Sequence, residues 1–112
     1  MKTFLLLVAL AVWPFSVHAQ TSNNLTVVEH QYVCMVNDQL FPNAQIPVQY
    51  DGKTYYGCCP MCKERLAKDA SMRMARDPVS GALIDKANAV IGARPNGKVL
   101  YFENIENLKR YK

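Results

Sequence analysis

The run Cys58-Cys59-Pro60-Met61-Cys62 constrains this chain more than any other stretch, because three of its four cysteines fall within five residues. The residues before it prescribe a local shape. Asp51-Gly52 separates Ile46-Pro47-Val48-Gln49-Tyr50 from Lys53-Thr54-Tyr55-Tyr56, and Asp-Gly between two β-prone runs is a strong two-residue hairpin signal. Pro60 suits the first position of a helix, where its missing N–H costs nothing, and good helix formers follow from Met61. The thiols therefore fall where a strand ends and a helix begins. Unpaired N–H groups and the positive end of the helix dipole favour thiolate there, which points to a soft-metal site or a reactive thiol. The helix is expected to run to about Met74 or Ala75, with Leu66, Ala70 and Met74 as its apolar stripe, and to stop before Asp77-Pro78.

The 112 residues suffice for one small domain, or for two very small units sharing one core. Met1-Lys2 precedes an apolar run from Phe4 to Phe15 that is too short to span a bilayer, and Val17-His18-Ala19 supplies signal-peptidase positions. Residues 1–19 are read as a cleaved secretory signal and 20–29 as a flexible N-terminus, so the protein is expected to be periplasmic or secreted, with no stable membrane insertion after cleavage. Without Lys2, twelve basic residues face nine acidic ones and are scattered along the chain. That mild balance argues against nucleic acid as a partner. Export also allows four cysteines to be two disulfides, so a disulfide-stapled structural or interaction domain competes with a metal site.

Leu25 to Val36 reads as one or two strands carrying His30 and Cys34, and Asn37-Asp38 reads as a turn. Beyond the helix the chain echoes itself. Gly52-Lys53-Thr54-Tyr55-Tyr56 is matched 45 residues later by Gly97-Lys98-Val99-Leu100-Tyr101, with Asn96-Gly97 as the hairpin turn and Asn104 as the cap of a closing helix. At the same offset Cys58 becomes Glu103 and Cys62 becomes Asn107, while Cys34 corresponds to Ser80 with a one-residue shift. The chain is read as two copies of a hairpin-plus-helix unit, of which only the first kept its thiols.

Val33-Cys34-Met35, followed by Gly52-Lys53-Thr54-Tyr55-Tyr56-Gly57-Cys58-x-x-x-Cys62-Lys63, resembles the TRASH variety of metal-binding domain over residues 30–76. Asp77-Pro78-Val79-Ser80-Gly81 and Gly97-Lys98-x-x-Tyr101-Phe102 resemble a YHS domain without its cysteines over residues 77–112. The resemblance implies an α+β fold of small treble-clef-like units in tandem, sharing one core. It also implies binding or trafficking of copper, zinc or another heavy metal, through Cys34, Cys58 and Cys62. Cys59 stands where the family often has Ser. The glycine the family carries after Cys34, and a Cys-x-x-Cys at the first ligand position, are missing here.

Zinc and copper(I) both accept thiolates, and a helix-start pair can converge with a thiol from a neighbouring strand. Cys58 and Cys59 lie four and three residues before Cys62, so either can meet it across the first turn. His30 would share the face of Cys34 if both lie in one strand, and Met35 and Met61 are soft donors to copper(I). The expected metal set is thus Cys34, Cys58 and Cys62, with Cys59 secondary and His30 a nitrogen candidate. A metal-transport or metallochaperone protein is the partner this reading implies. The protein is not read as an enzyme: no Ser-His-Asp set or carboxylate pair stands in a recognisable context. A thiol oxidoreductase using Cys59-Pro60-Met61-Cys62 is the third reading, although the chain lacks the βαβ pattern such enzymes need.

Overall fold

Short β-prone runs broken by turn residues leave this chain with short antiparallel strands. The computed structural model describes residues 23–112; the expected signal segment lies outside them. In chain order the strands are Thr26–Val28 (β1), Val33–Cys34 (β2), Gln39–Leu40 (β3), Ile46–Tyr50 (β4) and Lys53–Gly57 (β5), followed by the helices Pro60–Lys68 (α1) and Ala70–Arg73 (α2). Met74–Arg76 (β6), Leu83–Asp85 (β7), Val90–Ala93 (β8), Val99–Phe102 (β9) and the helix Ile105–Arg110 (α3) complete the α+β fold. Strands β2 and β3, β4 and β5, and β6 and β7 form two-stranded antiparallel sheets, while β1, β8 and β9 form a three-stranded one.

The first hairpin follows its sequence signal. Tyr50 pairs with Lys53, and both turn residues take positive φ (Asp51 49°, Gly52 72°), the geometry that matches strand twist in a two-residue loop. The second turn is longer than Asn96-Gly97 alone suggests. Ala93 pairs with Val99, and Gly97 N–H donates to Arg94 O at 2.8 Å, so Arg94-Pro95-Asn96-Gly97 makes the turn. Pro95 presets the second turn position, and Gly97 alone carries the positive φ of 88°.

The helix after the cysteines is shorter than expected. It ends at Lys68, Asp69 takes an extended conformation and caps α2, and Met74–Arg76 is a strand. Two side chains account for the break. The Asp69 carboxylate accepts the Ser71 N–H at 3.0 Å, and Arg73 folds back to donate to the α1 carbonyl of Leu66 at 2.7 Å. Arg73 is buried, and its guanidinium lies 3.6 Å from the centre of the Tyr50 ring. Leu66 is fully buried, whereas Ala70 is exposed, so the anticipated stripe stops at Leu66. The residues read as a flexible N-terminus include β1, whose Val27 pairs with Gly92 of β8.

One core joins the two halves of the chain. Val33, Met35, Val48, Tyr55 and Leu66 pack with Ala89, Ile91, Ala93, Val99 and Tyr101. The loop after Cys34 is gripped from the other half by several bonds. Lys86 Nζ donates to Met35 O at 2.6 Å and to Asp38 at 3.1 Å, Tyr101 OH donates to Asp38 at 2.8 Å, and Val99 N–H donates to Asp38 O at 3.0 Å. A unit of about 45 residues buries too small a share of its surface to be stable alone. Truncation after Ala75 is therefore expected to abolish cooperative thermal unfolding, monitored by circular dichroism. A truncated chain that still melts cooperatively would show that the first half folds by itself.

Candidate metal centre

Three structural elements deliver the thiols. Cys34 ends β2 in full burial, Cys58 follows the last residue of β5 at the surface, and Cys62 lies buried in the first turn of α1. The strand must approach the helix closely for this arrangement. A Cβ on Gly57 would lie 3.0 Å from Cys62 Cβ and 3.2 Å from the Cys62 carbonyl carbon, so the absence of a side chain there lets Cys62 reach the cluster.

The sulfurs of Cys34, Cys58 and Cys62 all lie within 4.8 Å of one another. Cys58 and Cys62 are 3.6 Å apart. Thiolates 2.3 Å from a tetrahedral zinc sit about 3.8 Å from each other, so this spacing needs only small side-chain rotations to close on an ion. The group is compatible with metal binding. Its ligands come from a buried turn, a strand end and a helix start, and Cys58 leaves one side open to solvent.

Local hydrogen bonding differentiates the thiols. Burial pushes Cys34 up, but the N–H groups of Asn37 and Val36 aimed at its sulfur outweigh that and hold its pKa below the usual thiol value. Cys58 is raised by its hydrogen bond to Cys34 and by burial. Burial, reinforced by contacts with Cys59 and Cys58, pushes Cys62 up to about 12. An arriving ion must therefore displace protons from Cys58 and Cys62, while Cys34 is the one member of this group shifted toward thiolate. The Asn37 side-chain amide, 3.4 Å from Cys58 Sγ, adds a donor to this outer thiol. Asn37 was legible only as a turn residue; its role depends on a fold that brings residue 37 to residue 58.

The other candidates are not members of the group of three mutually close sulfurs. Cys59 is the N-cap of α1: its sulfur accepts the Cys62 N–H at 3.4 Å and lies 3.4 Å from Cys62 Sγ. That amide bond is the main reason its pKa falls below the usual thiol value. His30 is not in a strand with Cys34; it opens a single 3-10 turn, His30–Tyr32, and lies outside the three-sulfur group with its Nε2 buried and without a partner among the described residues. Met35 is a core side chain, and Met61 is exposed on α1, as are Lys63 and Arg65.

The second half carries a different device at a similar place. Asn104 caps α3 by accepting the Asn107 N–H at 2.8 Å, as Cys59 does for Cys62 in α1. Asp77 is fully buried beside this helix start. Its Oδ1 accepts from Val79 and Ser80 N–H at 2.7 and 3.1 Å, and its Oδ2 accepts from Glu103 N–H and the Asn107 side chain at 2.8 and 2.9 Å. Burial raises the Asp77 pKa, but these bonds outweigh it and hold the carboxyl below its usual range. The residue that receives turn amides here, as Cys34 does in the first half, is Asp77. Ser80 is exposed and donates its own N–H to that carboxylate. The two segments differ in length between these points (58 − 34 = 24 against 103 − 77 = 26 residues), and a constant offset hides the correspondence.

No family model, curated protein or solved structure matches this chain. Among the described residues, no helix is long and apolar enough to cross a membrane.

Proposed function

We propose that this protein is an exported heavy-metal-binding module of the YHS/TRASH type, holding zinc or copper(I) on Cys34, Cys58 and Cys62 for trafficking, sensing or resistance. The convergence of three sulfurs within 4.8 Å, from positions 28 residues apart (62 − 34 = 28), is the observation that carries this reading. Thiolates select soft ions, and a three-sulfur set completes the coordination of copper(I) or leaves one position of zinc open. The open side at Cys58 suits an ion that is passed on by ligand exchange with a metal-transport or metallochaperone partner. In this reading the chain is a tandem of treble-clef-like units, and Asp77 takes in the second unit the place that a thiolate and its ion take in the first.

Native mass spectrometry of the protein purified without reductant, then loaded with zinc or copper(I), tests the proposal. One ion bound per chain is expected, with no disulfide among the four cysteines. A mass two units lower per disulfide, with no ion bound even after reduction and reloading, would favour the disulfide-stapled domain instead.

A further inference from the structure

The geometry points to Cys59 as a modification site. It reacts with a low-molecular-weight disulfide and then bonds to Cys62, which withdraws one ligand from the metal centre. The disulfide step stands on the thiol geometry alone; only its consequence for the ion rests on the function proposed above.

Three observations single out Cys59. Its sulfur lies 3.4 Å from Cys62 Sγ, within one helical turn, so a bond of about 2.05 Å needs little more than side-chain rotation. It stands outside the group of three mutually close sulfurs, so an ion held by Cys34, Cys58 and Cys62 leaves Cys59 as the one thiol without a metal bond. It is also half-exposed, whereas Cys62 is buried, so a reagent from solution meets Cys59 before Cys62; Cys58 is more exposed still. Cys58 is comparably close to Cys62, at 3.6 Å, but it belongs to the metal set and is engaged by the Asn37 amide.

The exchange balances in two steps. The Cys59 thiolate attacks one sulfur of R–S–S–R; the bond from Cys59 to S–R forms, the reagent's S–S bond breaks, and RS⁻ leaves with the electron pair. Cys62 Sγ then attacks Cys59 Sγ; the Cys59–Cys62 bond forms and a second RS⁻ leaves. Two protein sulfurs are oxidised and one disulfide is reduced to two thiols; one leaving group takes the Cys59 proton, and the other takes the Cys62 proton or, where the ion has already displaced that proton, one from water. The ion is left with Cys34 and Cys58 alone. Thiols restore the third ligand by the reverse reaction.

Oxidised glutathione is the probe, applied to wild-type protein and to Cys59→Ser and Cys58→Ser variants. Serine is itself a good N-cap, so Cys59→Ser retains the start of α1. Intact mass follows the loss of two units, and a chromogenic chelator follows zinc. Wild type is expected to lose two mass units and release its zinc, while Cys59→Ser keeps its mass and releases zinc at least about tenfold more slowly. Cys58→Ser is expected still to lose two mass units. A Cys59→Ser variant that oxidises as fast as wild type would assign the bond to a pair among Cys34, Cys58 and Cys62 and overturn the inference. A persistent glutathione adduct, or no oxidation of wild type, overturns it equally. If wild type binds no zinc, the metal reading fails, and the mass loss in wild type against its absence in Cys59→Ser still decides the disulfide.

Discussion

Replacing Cys34, Cys58 or Cys62 by serine is expected to weaken zinc and copper(I) binding by at least about a hundredfold. Apparent binding free energies of thiolate zinc sites are roughly 10–16 kcal/mol, so each of three or four ligands carries several kcal/mol, and 1.4 kcal/mol is a factor of ten. Cys34 is expected to be the most sensitive. It is fully buried and already favoured as a thiolate by the Asn37 and Val36 amides, so no solvent ligand can readily replace it. Cys58 is exposed, and water or an added thiol can occupy its place. Cys59→Ser should weaken binding less than any of the three. Competition against a chelator of known affinity, under reducing conditions, measures all four variants. If Cys59→Ser is the weakest binder, the helix-start pair is Cys59 with Cys62. If no variant changes affinity, the thiols are not the site.

The anchor of the second half should matter as much to stability as the thiols are expected to matter to binding. Asp77→Ala removes a buried carboxylate that accepts four hydrogen bonds, leaving the Asn107 amide and three backbone N–H groups without that acceptor. Hydrogen bonds to a charged group contribute about 1.5–3 kcal/mol each and are not additive within one network, so a loss of about 3–5 kcal/mol is expected. That is a large part of the stability of a small domain. Asp77→Asn should recover little, since half of its amide presents N–H to groups that are themselves donors. The pH dependence has a definite sign. The folded-state pKa of Asp77 lies below its unfolded value, so its contribution is complete above about pH 4 and disappears as pH falls through the lowered folded value. Asp85 acts in the same direction: burial raises its pKa, but bonds from Lys53 and Tyr55 lower it further. Urea denaturation of the metal-free protein from pH 7 to pH 3 checks both points. A variant Asp77→Ala within about 0.5 kcal/mol of wild type, the range of an ordinary surface substitution, would remove Asp77 from this role.

What could be read from the chain alone was local. The Asp51-Gly52 turn, Pro60 at the start of α1, and the Asn104 cap of α3 each follow from the φ preference or hydrogen-bonding capacity of one or two residues, and each formed where expected. The gathering of Cys58 with Cys62 is likewise a property of one helical turn. Errors arose where a distant partner outweighed local preference. Residues 70–75 have helical propensity, yet Asp69 and Arg73 close α1 early and the chain turns into β6, which pairs with β7. The pairing of Val27 could not be read locally either, because its partner, Gly92, lies 65 residues away (92 − 27 = 65). The arrival of Cys34 beside the helix start depends on contacts between remote segments: Gly57 against Cys62, Met35 N–H donating to Tyr56 O at 2.9 Å, and Lys86 and Tyr101 holding the loop that follows. Asp77 was invisible as an anchor for the same reason, because its donors Glu103 and Asn107 are 26 and 30 residues distant. Sequence determined which turns, caps and neighbouring thiols form, since those energies are set within one turn of chain. Tertiary structure decided which side chains share a buried site, since desolvating a thiol or a carboxylate is tolerable only when the fold supplies its hydrogen bonds from elsewhere.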